Sequence, residues 1–251
     1  MNTKQILRCA LVPLITASTM ASASIIFEEN FNDDTATGFS DPYDIYTPAS
    51  QVYTVTTGGT GVIGNNVIGP SVAEVGSLTG TDFNLTSSFK ILNGTGKGTL
   101  GFATFGNDSD LSGSYYQAYI SRPGTAGSLD ISMVLEEVGG DGLINSSSTA
   151  TLTSIEDTTL LFTLSGIYDG GNLSLSFNVT GGGINKTISG IDTTPLTGEY
   201  FGYRTTRAGG PTNVEMDNFL IVSIPEPNSI TLLCLGALSI LLVKNTRKRR
   251  R

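Results

Sequence analysis

Residues 172–180, Asn-Leu-Ser-Leu-Ser-Phe-Asn-Val-Thr, alternate polar and apolar side chains without a break. A strand with one face in a core and the other in water has this period of two, which an α-helix lacks. Asp169-Gly170-Gly171 precedes the run and Gly181-Gly182-Gly183 follows it, so turns bound the strand on both sides. Similar short runs fall at 99–105, 115–121, 129–138, 159–167, 186–191 and 214–222, each bounded by Gly, Asp, Asn or Ser. Between 24 and 226 no stretch shows a long helical period with caps. The expected fold is therefore all-β, an antiparallel jelly-roll sandwich formed by a single domain over 24–223. The stretch 41–69 carries little alternation and reads as a long surface connection.

Charge is distributed unevenly along the chain. All 22 acidic residues lie between Glu28 and Glu226, and the same region holds only Lys90, Lys97, Arg122, Lys186, Arg204 and Arg207 as cations. The central domain is thus far more acidic than the whole-chain net charge of −8, which excludes nucleic acid as a partner and favours divalent cations. The two cysteines, Cys9 and Cys234, both lie outside 24–226, so the domain has neither a disulfide nor a thiol nucleophile. The chain has no histidine and no tryptophan. Carboxylates are the acid–base chemistry that remains.

The chain ends read as addresses. Lys4 and Arg8 precede an apolar stretch, and Ala21-Ser22-Ala23 supplies the small-x-small pattern that signal peptidase reads, with Ala21 and Ala23 at the small positions. Residues 1–23 are expected to be a signal helix used by the Sec export machinery and removed after Ala23. At the other end come Pro225-Glu226-Pro227, an uncharged run at 229–243 and a basic tail at 244–251. As a helix the run reaches roughly 22 Å, short of the roughly 30 Å bilayer core. Terminal Lys and Arg can extend to the interface and hold that end in the cytoplasm. The layout of 224–251 closely resembles the PEP-CTERM sorting signal of bacterial exported proteins. That resemblance implies recognition by an exosortase in the inner membrane, passage through a membrane intermediate held by 229–243, and delivery to the envelope, cell surface or extracellular matrix. The alternative is an ordinary tail anchor.

The domain boundaries carry a second resemblance. The opening segment 25–33, the closing segment 214–222 and the stretch 198–204 between them, which runs from Gly198 through Gly202 to Arg204, look like parts of concanavalin A-like lectin/glucanase sandwiches. Glycosidases of that class set two glutamates around an aspartate on one strand, since two carboxylates must flank the bond. Glu215-Met216-Asp217 has the first half of such a motif, but Phe219 and Leu220 stand where the second glutamate would fall. No catalytic residue is assigned.

Two binding chemistries remain open. Without tryptophan, sugar platforms would be Tyr43, Tyr46, Tyr53, Tyr115, Tyr116, Tyr119, Tyr200 or Tyr203. Asp108-Ser109-Asp110-Leu111-Ser112-Gly113 places oxygens at alternate positions before a glycine, which makes Asp108, Asp110 and Ser112 candidate Ca2+ ligands; a polar turn between strands is the plain reading of the same residues. A second cation candidate, drawn from analogy with sandwiches whose ends meet, joins Glu28 and Asp33 or Asp34 to Asp217. Three functions follow: a non-catalytic surface or matrix protein associated with exopolysaccharide, a lectin-like module with a specific glycan, or a carboxylate glycoside hydrolase.

Overall fold

In the computed structural model the described residues are 22–41, 46–56, 67–94, 97–122, 129–140, 145–208 and 212–225. The signal segment through Ala21, Tyr43, Glu226, Pro227, the run 229–243 and the basic tail lie outside them. Among the described residues no helix is long and apolar enough to cross a membrane.

Fifteen strands make up residues 25–223: β1 (Ile25–Glu29), β2 (Phe39–Ser40), β3 (Tyr46–Ala49), β4 (Val52–Thr56), β5 (Val67–Glu74), β6 (Phe83–Gly94), β7 (Lys97–Gly106), β8 (Tyr115–Arg122), β9 (Asp130–Val138), β10 (Asn145–Thr151), β11 (Thr158–Asp169), β12 (Asn172–Gly181), β13 (Ile184–Asp192), β14 (Tyr200–Ala208) and β15 (Thr212–Ser223). They form two antiparallel sheets. The eight-stranded sheet runs β13-β12-β11-β6-β15-β4-β3 with β1 also on β15, and the seven-stranded sheet runs β10-β9-β8-β7-β14-β5-β2. The expected sandwich is what forms.

The run that opened the analysis, β12, buries Leu173, Leu175, Phe177 and Val179, with the alternate residues outward. Buried aromatics from both sheets fill the space between them. Phe89 and Phe162 lie 4.1 Å apart by ring centroid, and Phe102, Tyr203 and Phe219 continue the packing. Aromatic pairs of this kind contribute about 0.5–1.5 kcal/mol beyond their burial.

Three features were not legible as strands. Residues 41–69 are not one surface connection: β3 and β4 form a hairpin whose turn residues Ser50 and Gln51 both have positive φ. The central strand β6 escaped because Ser87 occupies an inward position between Leu85 and Phe89. Its hydroxyl is satisfied inside the core by the Tyr203 hydroxyl at 2.7 Å and by the Asp217 carbonyl at 2.7 Å. That carbonyl is available because β15 bulges at Asp217 and Asn218, where its outer neighbour changes from β4 to β1. The strand β10, Asn-Ser-Ser-Ser-Thr-Ala-Thr, reads as a polar loop, yet it pairs along β9.

Candidate functional site

The outward faces of the two sheets differ in chemistry. On the seven-stranded sheet, β8 turns Tyr115, Gln117 and Tyr119 outward while Tyr116, Ala118 and Ile120 enter the core. Cross-strand register sets Arg204 of β14, Gly101 of β7 and Tyr119 in one row, with Gly202, Ala103, Gln117 and Glu136 in the next. The small residues form the floor. Neither glycine can be replaced cheaply, because a Cβ at Gly101 would lie 2.1 Å from the Ala118 carbonyl oxygen and one at Gly202 would lie 2.2 Å from that of Ser71. Two strand spacings, about 9–10 Å, separate the backbones of Arg204 and Tyr119 across Gly101.

The side chains above this floor form one connected network. Arg204 Nη1 donates to Gln117 Oε1, and Gln117 Nε2 donates in turn to Glu136 Oε1. The Tyr119 hydroxyl donates to the same Glu136 oxygen at 3.2 Å. The Arg204 guanidinium carbon lies 5.4 Å from the centroid of the Tyr115 ring, a cation–π contact of about 0.5–1 kcal/mol at a partly exposed site. Burial, followed by the Glu136 carboxylate, pushes the Tyr119 phenol up to about 12, and burial raises Tyr115 as well. Both remain neutral donors at physiological pH. Nearby, Tyr200 points its hydroxyl at Glu74 Oε2, 3.5 Å away.

The candidate calcium loop joins this face in an unexpected way. Asp108 Oδ1 accepts the Ser112 amide at 2.9 Å and its Oδ2 accepts the Ser112 hydroxyl at 2.5 Å, while Asp110 Oδ1 also accepts the amide at 3.1 Å. These bonds hold Asp108 below the usual carboxylate range. The loop is closed on its own donors and carries Leu111, at φ 53°, down onto the outward sheet face. There Leu111 packs with Val72, Ala103 and Tyr115 as a small apolar cluster separate from the main core. Both oxygens of Asp108 thus accept hydrogen bonds from Ser112. Among the described residues no group of three or more His, Cys, Asp or Glu is placed to hold a metal.

The other sequence candidates are dispersed. Tyr46, Tyr53, Tyr116 and Tyr203 are buried with their hydroxyls bonded to Thr205, Ser71, Asp192 and Ser87 respectively, which makes them core residues. Glu215 faces outward on the eight-stranded sheet, 3.8 Å from Lys90, and Asp217 binds the amide of Asn218. Glu28 does lie on β1 beside β15, but Asp33 caps Thr35 and Asp34 accepts the Gln51 amide, so these acids serve separate turns. Ala23 lies two residues before β1 and Pro225 two residues after β15.

Across β6, β11, β12 and β13 the outward face of the eight-stranded sheet carries rows of hydroxyls and amides. Register aligns Asn84, Ser165, Ser176 and Ser189 in one row and Thr86, Thr163, Asn178 and Thr187 in another. A shallow groove of about 460 Å³ crosses it beside Ile167 and Ile191, without a charged or aromatic lining residue.

Sequence reasoning named the tyrosines but missed Gln117, Glu136 and Arg204 as partners. Period-two spacing of Tyr115, Gln117 and Tyr119 was the available signal. The register that brings Arg204 and Glu136 beside them is a tertiary property.

No protein-family model matches the chain, and no curated protein matches it. Solved structures do. The CBM2 module of the evolved Dit of Lactobacillus casei BL23 phage J-1 is 10% identical, with a TM-score of 0.56 over 81% of this chain and 98% of that one. The legume lectin-like domain from Entamoeba histolytica is 13% identical, with a TM-score of 0.54 over 82% and 100%. Laminarinase from Flavobacterium sp. UMI-01 is 11% identical, with a TM-score of 0.51 over 80% and 100%. These similarities establish the fold as a concanavalin A-like lectin/glucanase β-sandwich.

Proposed function

We propose that this protein is a non-catalytic carbohydrate-binding sandwich whose ligand face is the outward side of the seven-stranded sheet. The observation that carries the reading is the network Tyr115–Arg204–Gln117–Glu136–Tyr119 over a floor of Gly101, Ala103 and Gly202. The half-buried Tyr119 ring and the Arg204 guanidinium, held by the buried Tyr115 and Gln117, set an aromatic face beside fixed polar groups, the combination that pyranose recognition needs. The likeness to a CBM2 module and to a lectin-like domain supports it. Binding without turnover is favoured by the residues themselves, because Glu215 and Asp217 lie on the other sheet and Glu215 faces Lys90. The likeness to a laminarinase keeps hydrolysis as the outcome to test against.

The same proposal places the sandwich outside the inner membrane, exported through Sec, trimmed by signal peptidase after Ala23 and sorted by an exosortase at Pro225-Glu226-Pro227. Its support is the sequence of the two ends. The sandwich is compatible with both cleavages, because its first and last strands pair, with Ile25 opposite Val222, so trimming at either end removes no strand.

The test is affinity electrophoresis of the full-length protein in gels containing soluble polysaccharides, with reducing-end release measured in parallel. Retardation by at least one polysaccharide, lost in Tyr119→Ala and Arg204→Ala and accompanied by no product, is expected. Product release abolished by Glu215→Gln would overturn the non-catalytic reading.

A further inference from the structure

The cations of the sandwich are few, and those whose side chains are described can be followed one by one. Lys90 lies between Asp157 at 3.3 Å and Glu215 at 3.8 Å. Lys186 reaches across to the Ser148 hydroxyl and the Thr149 carbonyl of β10, closing one edge of the sandwich. Arg204 is held by Gln117 and Tyr115. Arg122 differs: it is 8% exposed, and its Nε and Nη1 are buried without a hydrogen-bond partner.

Its position explains why no carboxylate reaches it. Arg122 ends β8 on the inward side, following Tyr116, Ala118 and Ile120. Register sets it opposite Gly98 at this end of the seven-stranded sheet. Among the described side chains, the inward rows of both sheets near Arg122 contain no Asp or Glu; Ile131, Ile120, Leu100, Ile91, Val214 and Thr158 are typical occupants. Of the acids at the same end, Asp130 accepts the Thr151 hydroxyl, Asp157 and Glu215 lie on Lys90, and Glu156 is exposed. The connecting segments 57–66, 95–96, 123–128 and 209–211 contain no acidic residue. Burial alone lowers the Arg122 pKa, in keeping with the missing counter-charge.

Buried guanidinium N–H groups without a partner are costly, and arginine does not escape the cost by losing its proton at ordinary pH. Its planar fork is matched by a carboxylate, which accepts two parallel N–H bonds. We propose that Arg122 anchors a site for a carboxylate-bearing sugar, an acidic glycan residue whose anion enters at this end of the sandwich. The sugar identity rests on the carbohydrate-binding reading above; the anion site rests on Arg122 alone. An acidic glycan would also have a place on a domain otherwise rich in carboxylates, because its charge is met at Arg122 rather than on the acidic surface.

The experiment measures ligand-dependent melting and isothermal titration of the full-length protein with trigalacturonate, with maltotriose as the neutral sugar and with inorganic sulfate as the free anion. Trigalacturonate is expected to raise the melting temperature saturably and to bind at least tenfold more tightly than either control. Arg122→Met should lose this binding and, without ligand, melt no lower than the wild type, since it removes an unpaired buried charge. Arg122→Lys keeps the charge without the fork and should bind at least fivefold more weakly. Absence of trigalacturonate binding, sulfate binding as tight as trigalacturonate, or unchanged binding in Arg122→Met overturns the proposal. Markedly lower melting of Arg122→Met without ligand does so as well, because it assigns the guanidinium a partner within the chain. The outward-face reading is judged separately, on Tyr119→Ala, so the two fail independently.

Discussion

The two outward faces of this sandwich share a core but differ in what their side chains can do. On the eight-stranded sheet, neighbouring hydroxyls and amides bond to each other across the strands, as Ser165 does to Asn84 and Asn178 to Thr187. On the seven-stranded sheet, a cation, an amide, a carboxylate and two aromatic rings are brought onto one patch by residues from β8, β9 and β14. The difference comes from side-chain size across the rows. Glycine at 101 and 202 and alanine at 103 leave space above the sheet into which Arg204 and Gln117 extend. Nothing comparable interrupts the Ser/Thr rows. A sheet face becomes a candidate site when some positions are emptied and their neighbours are long.

Replacements on the two faces should therefore have unequal effects. The largest is expected from Leu111→Ala, which removes the side chain covering Val72, Ala103 and Tyr115; a loss of about 2 kcal/mol in urea unfolding is expected for a residue of this burial. Arg204→Ala should follow, with glycan affinity at least tenfold weaker, equivalent to about 1.4 kcal/mol, while Ser176→Ala on the other sheet leaves affinity unchanged. Equal losses from the two would break the comparison. Lys90→Ala deletes two exposed ion pairs and should cost less than about 1 kcal/mol of stability, with no change in glycan binding. The smallest effect is on pH. Hydrogen bonds from Ser112 lower the Asp108 pKa below its reference value of 3.8, so their contribution is complete above that value and is lost as pH falls through the lowered one. Tyr115 fluorescence should then report loosening of Leu111 on acidification, and Asp108→Asn should show the same change at neutral pH.

The fold was largely legible and the site was not, for physical reasons. β12 announces itself because its alternation is uninterrupted, so local pattern and tertiary burial agree. β6 hides because Ser87 sits inward, and the hydroxyl, carbonyl and bulge that make this tolerable come from β14 and β15. The loop 108–113 displayed alternate oxygens, but its sequence could not reveal that Ser112 would take both oxygens of Asp108 or that Leu111 would be the residue delivered to the sheet. Of eight tyrosines considered, Tyr46, Tyr53, Tyr116 and Tyr203 belong to the main core, Tyr115 is buried in the smaller cluster with Leu111, and Tyr119 and Tyr200 are half-buried, a separation that depends on which face of a strand meets the other sheet. Spacing gave the alternation along β8; only register gave Arg204 and Glu136.

The most direct measurement is hydrogen–deuterium exchange of the full-length protein with and without a polysaccharide that retards it in gels. Slowed exchange confined to 115–122 and 200–208, with 174–176 and 187–191 unchanged, is the result expected if the outward face of the seven-stranded sheet holds the glycan. Protection appearing instead along the Ser/Thr rows of β12 and β13, with β8 and β14 unaffected, would contradict it.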